Sequence, residues 1–362
     1  MSTDEDSLKR KSSEKKSIRL PELDTLRGLA ALGVMLFHYT YNQPGINLLF
    51  EFRNGVTGVD LFFMISGFVI TLSISKIARL RDFIVHRFSR LYPTYWICIL
   101  ITSLCILIYD PATLSFRNIL INMTMVQPYF GVEDLDGSYW TLLVELIFYV
   151  WVIFVHVLKK VTRIEDAGFL TLIAILAYHY FSNLYPELYA FIQRILPIAN
   201  YFPFFFSGII FYHIKFRGVT LKRVFFLFIS LISAFYLHDK GGRSMYLISY
   251  VQHGITIVFY HAVFILLVLD KLKFIVKPYF IFLGNISYSL YLLHQYIGRN
   301  IIHTLVSYAH LNLYAAILIT ILFIILLASG VTYYVEIPII KYIRDRYKKY
   351  GQNKESGRLE LH

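Results

Sequence analysis

The chain has 362 residues, 57% of them hydrophobic and 16% charged, with a mean hydropathy of +0.57 and a formal net charge of +12. That balance excludes an ordinary soluble domain. It also argues against nucleic-acid binding, because no basic fold unit stands apart from the apolar segments.

Residues 1–20 are polar and charged, and they read as a disordered cytoplasmic tail with no cleavable hydrophobic region. Ten apolar blocks follow, at 22–42, 58–77, 91–109, 138–158, 168–185, 198–214, 222–238, 247–269, 278–302 and 311–338. A helix of about 20 apolar residues spans a bilayer. The expected fold is therefore all-α, a polytopic membrane bundle of about ten transmembrane helices over residues 21–340. The sixth block is short, and the tenth is long enough to pass the bilayer edge.

Charge provides an independent test. With the N-terminus inside and all ten blocks crossing, the inner segments hold 28 of the 35 Lys and Arg residues. The outer segments hold six (Arg53, Arg117, Arg194, Lys240, Arg243 and Arg299), and Arg27 lies within a block. Such an alternation follows the positive-inside rule and predicts cytoplasmic N- and C-termini, the latter a basic tail over 341–362. Membrane lipids with anionic headgroups are sufficient partners for this charge.

The polar residues inside the blocks carry the functional signal. Arg27 and His38, in PELDTLRGLAALGVMLFHYTY, are eleven residues apart. That is three helical turns plus about 20°, so both leave one face, about 16 Å apart along the axis. A cation and an imidazole on one stripe of a membrane helix are costly and usually functional. In the second block Asp60, in GVDLFFMISGF, is predicted near the outer end, at the height of His38. Before the third, RFSR places Arg87 and Arg90 three residues apart, as neighbours on a helix. Paired guanidinium groups match phosphate oxygens, whereas the plainer reading is positive-inside charge.

Cys98 and Cys105 share one helix face and read as packing, with neither a disulfide nor a metal site indicated. In the fourth block, GSYWTLLVELIFY places Glu145 about 10 Å below Ser138 along the axis, and Trp140 beside the outer end. In GNISYSLYLLHQ, Tyr288, Tyr291 and His294 are packing residues or substrate contacts, and Trp140 joins them as a candidate contact. Glu336 and Pro338 close the tenth block. A histidine with a carboxylate near enough to fix its tautomer suits a general base toward a hydroxyl, or a nucleophile.

Taken in order, LDTLRGLAALGVMLFHY, GVDLFFMISGFVI, RDFIVHRFSRLYPTYW, GSYWTLLVELIFY, GNISYSLYLLHQ and YYVEIPI resemble acyltransferase family 3, the integral-membrane O-acyltransferases. The likeness runs from about residue 21 to 340. It implies transfer of an acyl group, most often acetyl, from cytoplasmic acetyl-CoA to a hydroxyl of a polysaccharide or lipid-linked glycan in a bacterial inner membrane. The family's Arg-X10-His element falls on Arg27 and His38, its Arg-X-X-Arg element on Arg87 and Arg90, and its two helix carboxylates on Asp60 and Glu145.

By that resemblance Arg87 and Arg90 hold coenzyme A phosphates and Arg27 guides the donor. His38 is base or acyl carrier, oriented by Asp60, and Glu145 positions the acceptor or moves a proton. An O-antigen, capsule or exopolysaccharide is the expected acceptor, with no metal and no fused esterase-like domain. The alternatives are the same chemistry on a lipid, peptidoglycan, antibiotic or small osmolyte, and a transporter without transfer. The transporter would show repeated halves, and none is evident.

Overall fold

Helix α1 (Pro21–Thr40) begins where Pro21 fixes the first helical φ, with Glu22 and Asp24 in the first turn complementing its free N–H groups. The computed structural model describes residues 19–41, 50–77, 79–158 and 163–359, with side chains described to residue 350. Among these residues the chain is helical, with no β-strand. After α1 come α2 (Gly58–Ile74), α3 (Leu80–Tyr109), the short α4 (Phe116–Asn122) and α5 (Trp140–Val157). Then follow α6 (Ile164–Tyr180), α7 (Pro186–Ile195), α8 (Phe202–Arg217), α9 (Leu221–Tyr236) and α10 (Tyr250–Val268). The chain continues through α11 (Pro278–Leu293), α12 (Gln295–Ser307), α13 (Leu313–Val331) and α14 (Ile337–Leu359), with a π-helical turn at Thr332–Glu336 joining the last two.

Each of the ten apolar blocks falls on a helix. Five helical stretches are long and apolar enough to cross a membrane: Arg53–Ile74, Leu80–Tyr109, Trp140–Val157, Tyr250–Val268 and Leu313–Tyr350. The others differ for identifiable reasons. α1 carries Glu22, Asp24 and Arg27 within its first two turns, and α6, α8 and α9 have 16 or 17 residues each.

The ninth block, expected as one span, is broken at His294 into α11 and α12. In an unbroken helix the Tyr296 N–H would bond the carbonyl four residues back. It instead donates to Asp136 Oδ2 at 2.7 Å, so a carboxylate from a distant loop interrupts the ladder.

Two close crossings set the interior. α8 is buried on every side from Phe202 to Ile214, and it packs along α2 where Gly67 meets Gly208. A Cβ on either glycine would overlap the backbone of the other helix. α1 packs along α11 where Gly28 meets Gly284; a Cβ on Gly28 would lie 2.6 Å from the Gly284 nitrogen. Small residues at such crossings let helix backbones approach closely, which is how helices associate where lipid removes the hydrophobic drive. The surrounding helices turn Leu104, Ile108, Leu170, Phe228, Ile255 and Leu326 outward, an apolar exterior suited to lipid.

Candidate active site

The helical spacing in α1 puts Arg27 and His38 on one stripe, and the packing of α1 against α2 and α11 turns that stripe inward. Two cavities open along it. The first, about 260 Å³, is lined by His38, Asp60, Trp140, Arg243 and Arg299 among others. The second, about 100 Å³, is lined by Arg27, Arg87, Arg90, Glu145, Tyr149 and Tyr288 among others. Val59 and Tyr291 line both, so the cavities meet at those two side chains.

The second cavity is strongly cationic. Arg87 donates from Nη2 to Ser73 Oγ at 2.5 Å, and its guanidinium lies over the Phe83 and Tyr149 rings at 5.6 and 5.7 Å. Its Nε is buried with no partner among the described residues. Arg27 has Asp24 one turn away, Nη1 to Oδ1 at 3.6 Å. Glu145 Oε1 accepts from Ser66 Oγ and from Tyr149 OH, both at 2.6 Å. Glu145 therefore lies with the arginines, not with His38. One carboxylate against three guanidinium groups leaves a site that favours an anion, and an orphaned buried N–H fits a phosphate oxygen.

Glu336, in the π turn, accepts from Ser289 Oγ at 3.2 Å and lies within reach of the Arg90 charge. π turns of this kind recur at functional sites.

At the other end His38 is half-buried, its ring centroid 5.2 Å from that of His294. His294 Nδ1 lies 2.7 Å from the Tyr291 carbonyl. A carbonyl only accepts, so Nδ1 carries the hydrogen and Nε2 presents its lone pair. That Nε2 is buried without a partner among the described residues. His294 backs His38 and lines neither cavity, whereas Trp140 lines the first and Tyr288 the second. Tyr39 anchors the arrangement, donating from its hydroxyl to the His294 carbonyl at 2.8 Å.

Asp60 reaches the cavity that holds His38, and its carboxylate has a partner that sequence reading missed. His253 Nε2, on α10, lies 3.1 Å from Asp60 Oδ2. The His253 ring stacks on His238 with centroids 4.3 Å apart. Asp136 was also missed. Its Oδ1 accepts from the Ser138 N–H at 2.8 Å and from Ser138 Oγ at 2.6 Å, while Oδ2 takes the Tyr296 N–H. Burial raises the Asp136 pKa, and these hydrogen bonds oppose the rise. Asp136 so fixes the wall formed by Gly137 and Gln295. Its signal in the sequence was the acidic DLDG run before the fourth block.

A family model described as an acyltransferase domain, acyltransferase family 3, matches residues 20–334. A protein named as an acetyltransferase from Acidianus two-tailed virus is 26% identical over 288 residues, covering 76% of this chain and 82% of its own length. The peptidoglycan O-acetyltransferase OatA of Listeria monocytogenes is 28% identical over 102 residues, 26% of this chain and 15% of that protein. Nodulation protein 10 of Rhizobium leguminosarum bv. viciae is 29% identical over 163 residues, 38% of this chain and 44% of that protein. This chain thus spans less than half of the last two. No solved structure matches the chain.

Proposed function

Because the chain belongs to acyltransferase family 3, whose model matches residues 20–334, we propose that this acyltransferase moves an acetyl group from acetyl-CoA to a glycan hydroxyl across a bacterial cytoplasmic membrane. The observation that carries this reading is the pair of cavities that abut at Val59 and Tyr291, one rich in arginine and the other holding His38. In this reading the ten helices named by the sequence blocks cross the bilayer with both termini in the cytoplasm. The arginine cavity then faces the donor and the His38 cavity faces the envelope.

Arg87 and Arg90 take the coenzyme A phosphates at the inner rim, and Arg27 draws the thioester end inward. Glu145, held by Ser66 and Tyr149, balances part of that charge. The acceptor hydroxyl enters from the opposite side, against Trp140. His38 removes its proton as the oxygen bonds to the thioester carbonyl carbon. Collapse of the tetrahedral intermediate breaks the carbon–sulfur bond, and the proton passes from His38 to the departing sulfur. Asp60, paired with His253, is the carboxylate placed on the wall of the same cavity to balance the imidazolium formed in between.

The acceptor is a polysaccharide or lipid-linked sugar of the cell envelope. The similarity to a Listeria protein named for peptidoglycan makes peptidoglycan the alternative glycan.

The decisive experiment is replacement of His38 by Ala. Purified His38→Ala protein is expected to bind acetyl-CoA with wild-type affinity, while cells carrying it lose the acetyl methyl signal from their glycan in proton NMR. A normally acetylated glycan would overturn the assignment.

A further inference from the structure

The cavity that holds His38 does not end at Arg299. A neighbouring cavity of about 380 Å³ shares Gly137, Gln295 and Arg299 with it and continues past Asn300 and His303 along α12. Arg299 stands on the boundary between the two. Across the first cavity the Arg243 guanidinium lies 4.5 Å above the Trp140 ring centroid, and its backbone N–H donates to Tyr201 OH at 3.0 Å. Both arginines are exposed, and both line the cavity that holds His38.

Among the described residues neither guanidinium has a carboxylate at ion-pair distance. Asp60 is the one carboxylate among the described residues that lines this cavity, and it is committed to His253. Asp136, behind the wall, is occupied by Ser138 and the Tyr296 N–H. Asp134, which senses the Arg243 charge, takes a hydrogen bond from Gln127 at 2.5 Å. Two uncompensated cations thus flank the place where the acceptor must lie. An independent sign of a ligand sits beside them: Gln295 Oε1 is buried without a partner among the described residues, on the wall common to both cavities. An amide oxygen so placed calls for a hydroxyl or N–H from outside the chain.

Resting on the acetyl-transfer reading, we infer that the acceptor is an anionic glycan at least two units long. The unit being acetylated lies by His38 and Trp140, its neighbour occupies the second cavity, and a carboxylate or phosphate between them is held by Arg299 and Arg243. Guanidinium groups match both anions through paired N–H donors. Charge of one sign in a cleft also concentrates such a substrate at its mouth.

The test uses full-length His38→Ala protein in detergent, with excess coenzyme A blocking the arginines of the donor cavity. Calorimetric titrations compare trigalacturonate, its uncharged methyl ester and a phosphosugar of two units joined through a phosphodiester. Trigalacturonate is expected to bind at least tenfold more tightly than its ester, and Arg299→Gln to remove that preference while coenzyme A still binds. Tightest binding by the phosphosugar identifies the anion as phosphate, and by trigalacturonate as carboxylate. Equal affinity for charged and neutral trimers, persistence of the preference in Arg299→Gln, or no binding by either anion overturns the inference. Coenzyme A binding without the anion preference leaves the transfer reading standing. An anion preference alongside wild-type protein that cannot transfer acetyl removes the transfer reading alone.

Discussion

Arg87 has an unmet demand at its centre, a buried Nε with no partner among the described residues, and satisfying it is the cheapest way for the cavity to gain from an anion. A hydrogen bond to a charged group contributes about 1.5–3 kcal/mol, which converts to roughly tenfold or more in affinity. Arg87→Gln is therefore expected to raise the acetyl-CoA KM by at least about tenfold while leaving kcat at saturating donor largely intact. Steady-state kinetics with varied donor would expose an unchanged KM and so remove Arg87 from donor binding. Arg87 could be read from the chain because its partner Arg90 lies one helical turn away. The Asp60–His253 pair could not, because 193 residues separate the two and a lone histidine in an apolar block carries no local signal. Glu145 shows the same limit in another form. Its depth followed from the helical rise, but which cavity it faces depends on how α5 is rotated against α2, where Ser66 supplies the contact.

At the scale of elements, what periodicity reveals is where helices lie, and what it hides is where a distant side chain interrupts them. Past its first residue, Pro278, the block at 278–302 has no proline to mark a break at His294. The break comes from Asp136, 160 positions earlier, capturing the Tyr296 N–H. Removing that carboxylate frees three donors at once: the Ser138 N–H, the Ser138 hydroxyl and the Tyr296 N–H. A buried donor left unsatisfied costs about 1–3 kcal/mol. Asp136→Ala is expected to lower the unfolding temperature in detergent and to reduce acetyl transfer with little change in donor KM, because the wall at Gly137 and Gln295 moves. Asp136→Asn keeps one acceptor oxygen for the Ser138 donors but turns a donor NH2 toward the Tyr296 N–H, so it should recover only part of the stability. Thermal unfolding of the two variants side by side checks this, and equal stability of Asp136→Ala and wild type would show that the helix break has another cause.

Across the whole molecule the proposed orientation rests on the alternation of basic segments, and the two cavities acquire donor and acceptor sides only if it holds. With Cys98 and Cys105 replaced by Ser, a cysteine at exposed Val219 should be labelled only after the cytoplasmic face is opened, and one at exposed Tyr246 from intact cells. The reverse pattern would exchange the two faces. The same two-sided design demands a barrier, since a thioester open to water from the envelope side is lost by hydrolysis. Tyr291 is the residue placed to supply it. It is buried, takes a hydrogen bond from Thr141 Oγ1 at 3.2 Å, packs against Phe62 with centroids 5.4 Å apart and lines both cavities. Truncation to Ala merges the cavities and gives water a path to the donor. Tyr291→Ala is expected to release free coenzyme A thiol several times faster than wild type in the absence of acceptor, while acceptor-dependent transfer falls. Tyr291→Phe keeps the ring and should retain the low background. Thiol release measured with and without acceptor separates the cases: a Tyr291→Ala background no higher than wild type would mean that the barrier lies elsewhere, with Val59 the remaining side chain common to both cavities.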